Sequence, residues 1–183
     1  GKAPSALALG DLNADGKLDV VTSNADSGNV AYLQGGTLSP GTLLAAKLFT
    51  SGTTPSAVAI SDVNADGKLD IVTVNSDTNN LAVHAGRGDG TFVAARFSTT
   101  CEFPVALALS ELTGDGKVDA VVQCAGGKRS QALMGDGTGG FVSSPRPLPL
   151  GSSLVVADVN ADLKPDLASV NSAGVFVLTN QIP

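Results

Sequence analysis

The sequence contains no tryptophan, one tyrosine, one methionine and one histidine, and aromatic residues make up 4% of its 183 positions. Sugar sites that stack pyranose rings on aromatic faces have little to draw on, which weakens a lectin reading without removing it. The single histidine, His84, reads as a half-exposed strand residue. No nucleophile, base and orienting group converge in the sequence, so a non-enzymatic protein is expected. A glycosidase needs two free carboxylates, and almost every carboxylate here is committed to one kind of loop. No apolar run approaches the roughly 18 residues of a membrane span. The net charge of -6 argues against nucleic acid and anionic membranes as partners. Gly1-Lys2-Ala3-Pro4 carry neither an initiator methionine nor an apolar signal region, as expected of a processed or trimmed chain.

What is abundant is glycine (22), proline (9) and short β-branched stretches, in a chain that is 43% apolar and 15% charged. This composition suits many short strands joined by tight turns, in one domain spanning residues 1–183. The chain repeats itself. Asp11-Leu12-Asn13-Ala14-Asp15-Gly16-Lys17-Leu18-Asp19 returns as Asp62-Val63-Asn64-Ala65-Asp66-Gly67-Lys68-Leu69-Asp70. Two looser copies follow, Glu111-Leu112-Thr113-Gly114-Asp115-Gly116-Lys117-Val118-Asp119 and Asp158-Val159-Asn160-Ala161-Asp162-Leu163-Lys164-Pro165-Asp166. The steps between their first residues are 51, 49 and 47 residues, which sets repeats of roughly 1–51, 52–100, 101–150 and 151–183.

Alternating small and large apolar residues precede each loop, as in Ala6-Leu7-Ala8-Leu9 and Ala57-Val58-Ala59-Ile60, and predict a strand buried on both faces. A second strand follows each loop, as in Val20-Val21-Thr22 and Ile71-Val72-Thr73-Val74. A third is expected at Val30–Leu33, Leu81–His84, Gln131–Met134 and Val175–Leu178. Turn signals at Gly35-Gly36, Gly88-Asp89-Gly90 and Gly135-Asp136-Gly137 lead to a fourth around Phe49, Phe97 and Leu148, while the last repeat reaches Pro183 without one. Four strands per 40–50 residues predict an all-β chain of propeller blades, each of four antiparallel strands. With four repeats and no spare strand for closure, a partial or half propeller is expected. A closed four-bladed ring is the alternative.

The D-x-N-x-D-G-x-x-D loop between two apolar strands, with Gly88-Asp89-Gly90-Thr91-Phe92 after the third strand, resembles the FG-GAP/VCBS repeat family of integrin α-chain-like β-propellers. The resemblance covers essentially the whole chain. It implies an extracellular module with a structural, adhesion or protein-interaction role. Carbohydrate binding is the alternative, since related propellers include lectins. The ligand is therefore a protein or a glycan, and the open ends imply self-association or further blades in a longer parent protein.

Calcium takes six to eight hard oxygen ligands, and alternate residues of a tight loop can aim theirs at one centre. The first loop offers Asp11, Asn13, Asp15 and Asp19 side chains with the Lys17 carbonyl; the second offers Asp62, Asn64, Asp66 and Asp70 with the Lys68 carbonyl. Two carboxylates about 5 Å apart repel by roughly 3 kcal/mol at an effective dielectric near 20, so a cation is expected between them. The alternative is an unmetallated network of Asx turns. The third loop substitutes Glu111 and Thr113 beside Asp115, Lys117 and Asp119. The fourth retains Asp158, Asn160, Asp162, Lys164 and Asp166 but places Leu163 at the glycine position, which predicts a different bend there. Up to four Ca2+ are expected, one per loop, which would move the charge from -6 to about +2. An EF-hand would need Glu where Thr22, Thr73 and Val122 stand, and is rejected.

Cys101 and Cys124 flank the third loop. If that loop is a hairpin turn, the start of one strand lies opposite the end of the next and a disulfide is favoured over two buried thiols, implying an oxidising, secreted or cell-surface location. Arg87-Gly88-Asp89 matches a tripeptide read by some integrins, but its place between two strands makes it chiefly turn chemistry.

Overall fold

The computed structural model describes residues 1–36, 41–125, 130–148, 153–171 and 174–180. The segment after Gly36 and the third repeat boundary at 150/151 lie outside the described residues. Among the described residues, fifteen strands form four antiparallel sheets, one per repeat. The first blade consists of β1 (Pro4–Gly10), β2 (Asp19–Asn24), β3 (Asn29–Leu33) and β4 (Lys47–Thr50). The second consists of β5 (Pro55–Ser61), β6 (Asp70–Asn75), β7 (Asn80–His84) and β8 (Arg96–Thr99). The third consists of β9 (Pro104–Ser110), β10 (Asp119–Cys124), β11 (Ser130–Gly135) and β12 (Phe141–Leu148). The fourth has β13 (Ser153–Ala157), β14 (Asp166–Asn171) and β15 (Gly174–Leu178). Strand order follows chain order in every sheet, as repeated hairpins dictate.

Registers repeat as well. Leu9 faces Val20, Ile60 faces Ile71 and Leu109 faces Ala120. The first strand of blades one to three opens on a proline followed by an irregularity, at Pro4, Pro55 and Pro104. The residue before each proline, Ala3, Thr54 or Phe103, takes a left-handed backbone with φ of 50–55°. That conformation costs a β-branched or bulky residue energy, and its recurrence marks a turn that the repeat imposes.

Blades stack by their first strands, β1 against β5, β5 against β9 and β9 against β13, as an open array and not a ring. The array confirms the partial propeller and sets aside the closed four-bladed alternative. Two cores result. Leu12, Val21, Val30 and Tyr32 of blade one pack against Val58, Ile71 and Phe92 of blade two. Val63, Val72, Val74, Leu81 and Val83 of blade two pack against Ala120, Val122, Leu133 and Phe141 of blade three. Polar ties cross the same joints: the Ser5 hydroxyl donates to the Pro55 carbonyl at 2.6 Å, and the Ser56 hydroxyl to that of Pro104 at 2.6 Å.

Two expectations change. The second strands β6 and β10 are buried along their whole length, whereas the first strands are not buried on both faces: Leu7 and Leu9 of β1 are exposed. β5 and β9, which lie between two blades, are for the most part only partly buried as well, so full burial belongs to the second strand of a blade and not the first. His84 is buried, not half-exposed, and the Phe49 ring of blade one lies tilted beside it, with centroids 6.1 Å apart. Burial pushes its pKa down, against a hydrogen bond with the Val93 backbone. Cys101 and Cys124 form a disulfide with Cα atoms 6.1 Å apart, as the hairpin argument required.

Candidate metal-binding loops

Each blade turns from its first to its second strand through one Asp-rich loop. In blade one, Asp11 Oδ1 accepts from the Asp15 N–H at 3.1 Å and Oδ2 from the Gly16 N–H at 2.8 Å. Asn13 Oδ1 also accepts from Asp15 N–H, and Asp15 Oδ1 from Lys17 N–H at 3.0 Å. Blade two repeats these bonds with Asp62, Asn64 and Asp66, and blade four with Asp158, Asn160 and Asp162. Asn13 and Asp15 reach amides two residues on and Asp11 reaches amides four and five residues on, which holds their oxygens around a tight turn. The turn needs left-handed residues at Ala14 (φ 58°) and Gly16 (φ 80°), and again at Ala65 and Gly67.

The fourth loop does not bend differently. Leu163 adopts φ 67° and its N–H donates to Asp158 Oδ2 at 2.8 Å, the bond that Gly16 makes to Asp11. The set of amide bonds to Asp158 and Asp162 fixes the turn and holds Leu163 in a conformation that costs roughly 1–2 kcal/mol. Its side chain points into solvent.

The third loop differs. Glu111 is one carbon longer, and its Oε1 accepts from the N–H groups of Thr113 at 2.8 Å and Gly114 at 2.6 Å, two residues earlier than in the other loops. Lys117 Nζ lies 3.3 Å from Asp115 Oδ2. The Lys117 amide holds the Asp115 carboxyl below its usual range, with Thr113 and the Lys117 side chain adding to it against some desolvation.

The ninth position behaves unlike the rest. Asp19, Asp70, Asp119 and Asp166 are fully buried. Asp19 Oδ2 accepts from Leu12 N–H at 3.0 Å and from the Tyr32 hydroxyl at 3.0 Å, while Oδ1 accepts from Gly35 N–H at 2.8 Å. Asp70 is held by Val63 and Gly86 N–H, Asp119 by Leu112 and Gly135 N–H, and Asp166 by Val159 and Asn180 N–H. Each is a clamp from the start of its loop to the end of the third strand. Burial pushes the Asp70 and Asp119 carboxyls up, and the charges of the loop acids add to it, while the amide bonds pull the other way. Burial likewise raises the Tyr32 phenol, with the Asp19 hydrogen bond reinforcing it.

The amide partners of the clamp have no side chain to betray them. One trace was present: Gly35, Gly86 and Gly135 each stand 16 residues after the ninth Asp. A Cβ at Gly86 or Gly135 would run into the carbonyl of Leu69 or Val118, so only glycine fits.

With the ninth carboxylate drawn into the blade, no group of three His, Cys, Asp or Glu side chains among the described residues is arranged to hold a metal. The oxygens gathered at the tip are those of positions one, three and five. An ionised carboxylate has about four acceptor sites, so amide bonds leave lone pairs for a cation. The donor set is all hard oxygen in loops one, two and four, and suits Ca2+ by type. In loop three a lysine ammonium already serves one of the acids.

The turn between third and fourth strands is a second Asp motif. Asp89 Oδ1 accepts from Thr91 N–H at 2.9 Å and from its hydroxyl, and Asp136 makes the matching bonds to Thr138. Arg87 is engaged in the same hairpin, donating from its backbone to Thr91 O and from Nη1 to Phe92 O. No described helix is long and apolar enough to cross a membrane.

Comparisons with known proteins agree with this architecture. No curated protein matches the sequence. Among solved structures, the Photorhabdus luminescens Tc holotoxin pore is similar over 97% of this chain and 9% of its own, with 21% identity and a TM-score of 0.60. The V. cholerae biofilm matrix protein Bap1 is similar over 92% of this chain and 28% of its own, with 17% identity and a TM-score of 0.52. The chain thus spans a small part of either protein, and the likeness is one of fold. The FG-GAP-like repeat model matches residues 11–73 and 62–122, each span running from one Asp loop through the next. With loops, blades and match in register, the chain belongs to the FG-GAP-like repeat family.

Proposed function

We propose that this chain is a calcium-stabilised extracellular repeat module that presents a rigid surface for adhesion or protein interaction. The observation that carries it is the Asx network shared by the loops at Asp11, Asp62 and Asp158, which gathers acidic oxygens at a solvent-exposed tip. In each, the first and fifth carboxylates, the third amide and the carbonyl of Lys17, Lys68 or Lys164 would hold the ion. The ninth Asp completes the shell only through lone pairs its backbone bonds leave free. The ion's chemistry here is charge neutralisation, without a reaction. The disulfide supports an oxidising compartment. Bap1, a biofilm matrix protein, shares the fold and supports the adhesive role.

Calcium binding to the folded state alone should stabilise it by about 2.7 kcal/mol at a hundredfold excess over Kd. A thermal melt with calcium and with chelator measures this. Identical melting curves would overturn the metal assignment. Asp62→Asn with Asp66→Asn should remove one ion from the titration, and Asp115→Asn should remove less, because Lys117 competes for that loop.

A carbohydrate-binding reading is favoured by one feature. A cleft of about 530 Å³ opens where blade one meets blade two, lined by the Phe97 ring, the Asp26 carboxylate and Thr50, Thr53, Thr78 and Asn80. A glycan array separates the readings: calcium-dependent sugar binding lost on Phe97→Ala would replace the protein partner with a glycan.

A further inference from the structure

His84 is the chain's only histidine, and it stands where every other blade has leucine. The pairing register makes the positions equivalent: His84 faces Ile71 as Leu33 faces Val20, Leu133 faces Ala120 and Leu178 faces Leu167. At the second joint Leu133 is fully buried in the aliphatic core. A leucine therefore suffices to pack this site, and blade two instead buries a titratable ring there, 2% exposed.

Directly opposed residues share a sheet face, so His84 points with Ile71 into the joint between blades one and two. The Phe49 ring of blade one lies beside it and in turn meets Phe92. The imidazole bonds to the Val93 backbone, while its Nε2 has no hydrogen-bond partner among the described residues. A neutral imidazole has one donor nitrogen and one acceptor, and an imidazolium has two donors. A proton taken up at Nε2 would create a buried charge and a buried donor without an acceptor.

The groups around it supply no free counter-ion. The carboxylate on this face, Asp19 of β2, is held by the Tyr32 hydroxyl of β3 and by two backbone amides. Asp11 and Asp15 of the first loop are tied into its turn. Lys47 of β4, over the Tyr32 ring, is a like charge. β5 carries no titratable side chain. Asp70 of β6 adjoins Ile71 and so points to the other face, and Arg96 of β8 pairs with Val83 and reaches Asp136 of blade three. In the connection after β7, Asp89 is exposed and bonded to Thr91, and Arg87 donates to the Phe92 carbonyl.

We propose that His84 makes the joint between blades one and two acid-sensitive, so that a proton on this ring loosens blade one from blade two while the joint between blades two and three holds. An unfolded histidine takes up its proton near pH ~6.5. Burial lowers the pKa of the folded ring, against the Val93 bond. Stability is therefore fully present above about pH 6.5 and is lost as pH falls from there toward the lower value of the buried ring. Each pH unit in that window lowers the folded-to-unfolded ratio by up to about tenfold. The device depends neither on the metal reading nor on what lies beyond either end of the chain.

Imidazole NMR of the full chain at fixed calcium tests it, since one histidine gives one set of signals. The midpoint is expected below about 6.5 in the folded protein and near that value in urea. A folded midpoint at or above the urea value overturns the proposal. Urea denaturation about one pH unit above and below 6.5 should show the chain losing stability, and His84→Leu, which gives blade two the residue of its neighbours, losing clearly less. Equal losses overturn it; His84→Met repeats the comparison should His84→Leu fail to fold. Hydrogen exchange over the same range, corrected for its intrinsic pH dependence, should quicken in β3 and β4 ahead of β10 and β11, and not in the variant. Quickening spread evenly over both joints overturns the claim that one joint opens alone.

Discussion

The joint between blades one and two and the joint between blades two and three occupy equivalent places and are held by different chemistry. The first is aromatic. Tyr32 and Phe92 meet edge to face with centroids 5.6 Å apart, Phe49 and Phe92 likewise at 5.1 Å, and Lys47 lies over the Tyr32 ring. The second is aliphatic, with Phe141 alone among valines, leucines and an alanine. Where blade three has its disulfide, blade two has Gly52 and Asn75, whose Oδ1 accepts from Gly52 N–H at 3.2 Å and from the Ser51 hydroxyl at 3.0 Å. Blade one again has the Gly and Asn pair, as Gly1 and Asn24. One geometric position is thus filled by a covalent bond or by hydrogen bonds, and one core position by an aromatic cluster or an aliphatic one. The repeat specifies where an interaction must be, and the choice of chemistry is left to each blade.

The comparison breaks most sharply at its aromatic centre. Phe92→Ala should cost about 4 kcal/mol in urea denaturation, from the cavity term for a buried phenylalanine. Phe141→Ala at the equivalent position should cost about 1 kcal/mol less, because it forfeits no edge-to-face ring pairs. Equal losses would show that the rings act only as volume. The covalent difference comes next. Replacing both cysteines, Cys101→Ser with Cys124→Ser, should destabilise the chain by about 3 kcal/mol for a loop of this length. Gly52→Cys with Asn75→Cys should install the missing bond in blade two, detected by the mass change on reduction and by a higher melting temperature.

The smallest effect tests the cation at each joint. Arg96 of blade two reaches blade three, with Nη2 2.9 Å from Asp136 Oδ2 and Nη1 donating to the Thr138 carbonyl at 3.1 Å. Its counterpart Lys47 donates from Nζ to the Gly90 carbonyl of blade two, at 3.2 Å. Arg96→Ala should cost about 0.5–1 kcal/mol and lose that effect in high salt, as exposed ion pairs do. Partial burial works against the Asp136 charge, yet bonds from Gly140, Thr138 and Arg96 hold its carboxyl down to about 2. An unfolded aspartate titrates near ~3.9. The stabilisation is therefore fully present above that pH and lost as pH falls through about 2. Acid melts of Arg96→Ala should show this loss reduced.

Much of this was legible in the residues. Four in-phase loops fixed the number of blades, the Gly-Asp-Gly turns placed the fourth strands, and the hairpin reading of the third loop brought Cys101 to Cys124. What was not legible depends on neighbours or on backbone. His84 is buried beside the Phe49 ring of another blade, a neighbour that the pattern of its own strand does not reveal. The ninth Asp of each loop has the spacing of a metal ligand, and in the first three loops a glycine 16 residues on is the one trace of the backbone amides that hold it. Leu163 kept its left-handed turn because amide bonds to Asp158 and Asp162 outweighed its own preference.

The clamps have a consequence for how such a protein changes over evolutionary time. Asp19, Asp70, Asp119 and Asp166 find their backbone partners within their own blades. Duplicating or deleting a whole repeat therefore leaves every remaining clamp with its partners. Blade number becomes a quantity that genetic copying can adjust without redesigning a single unit.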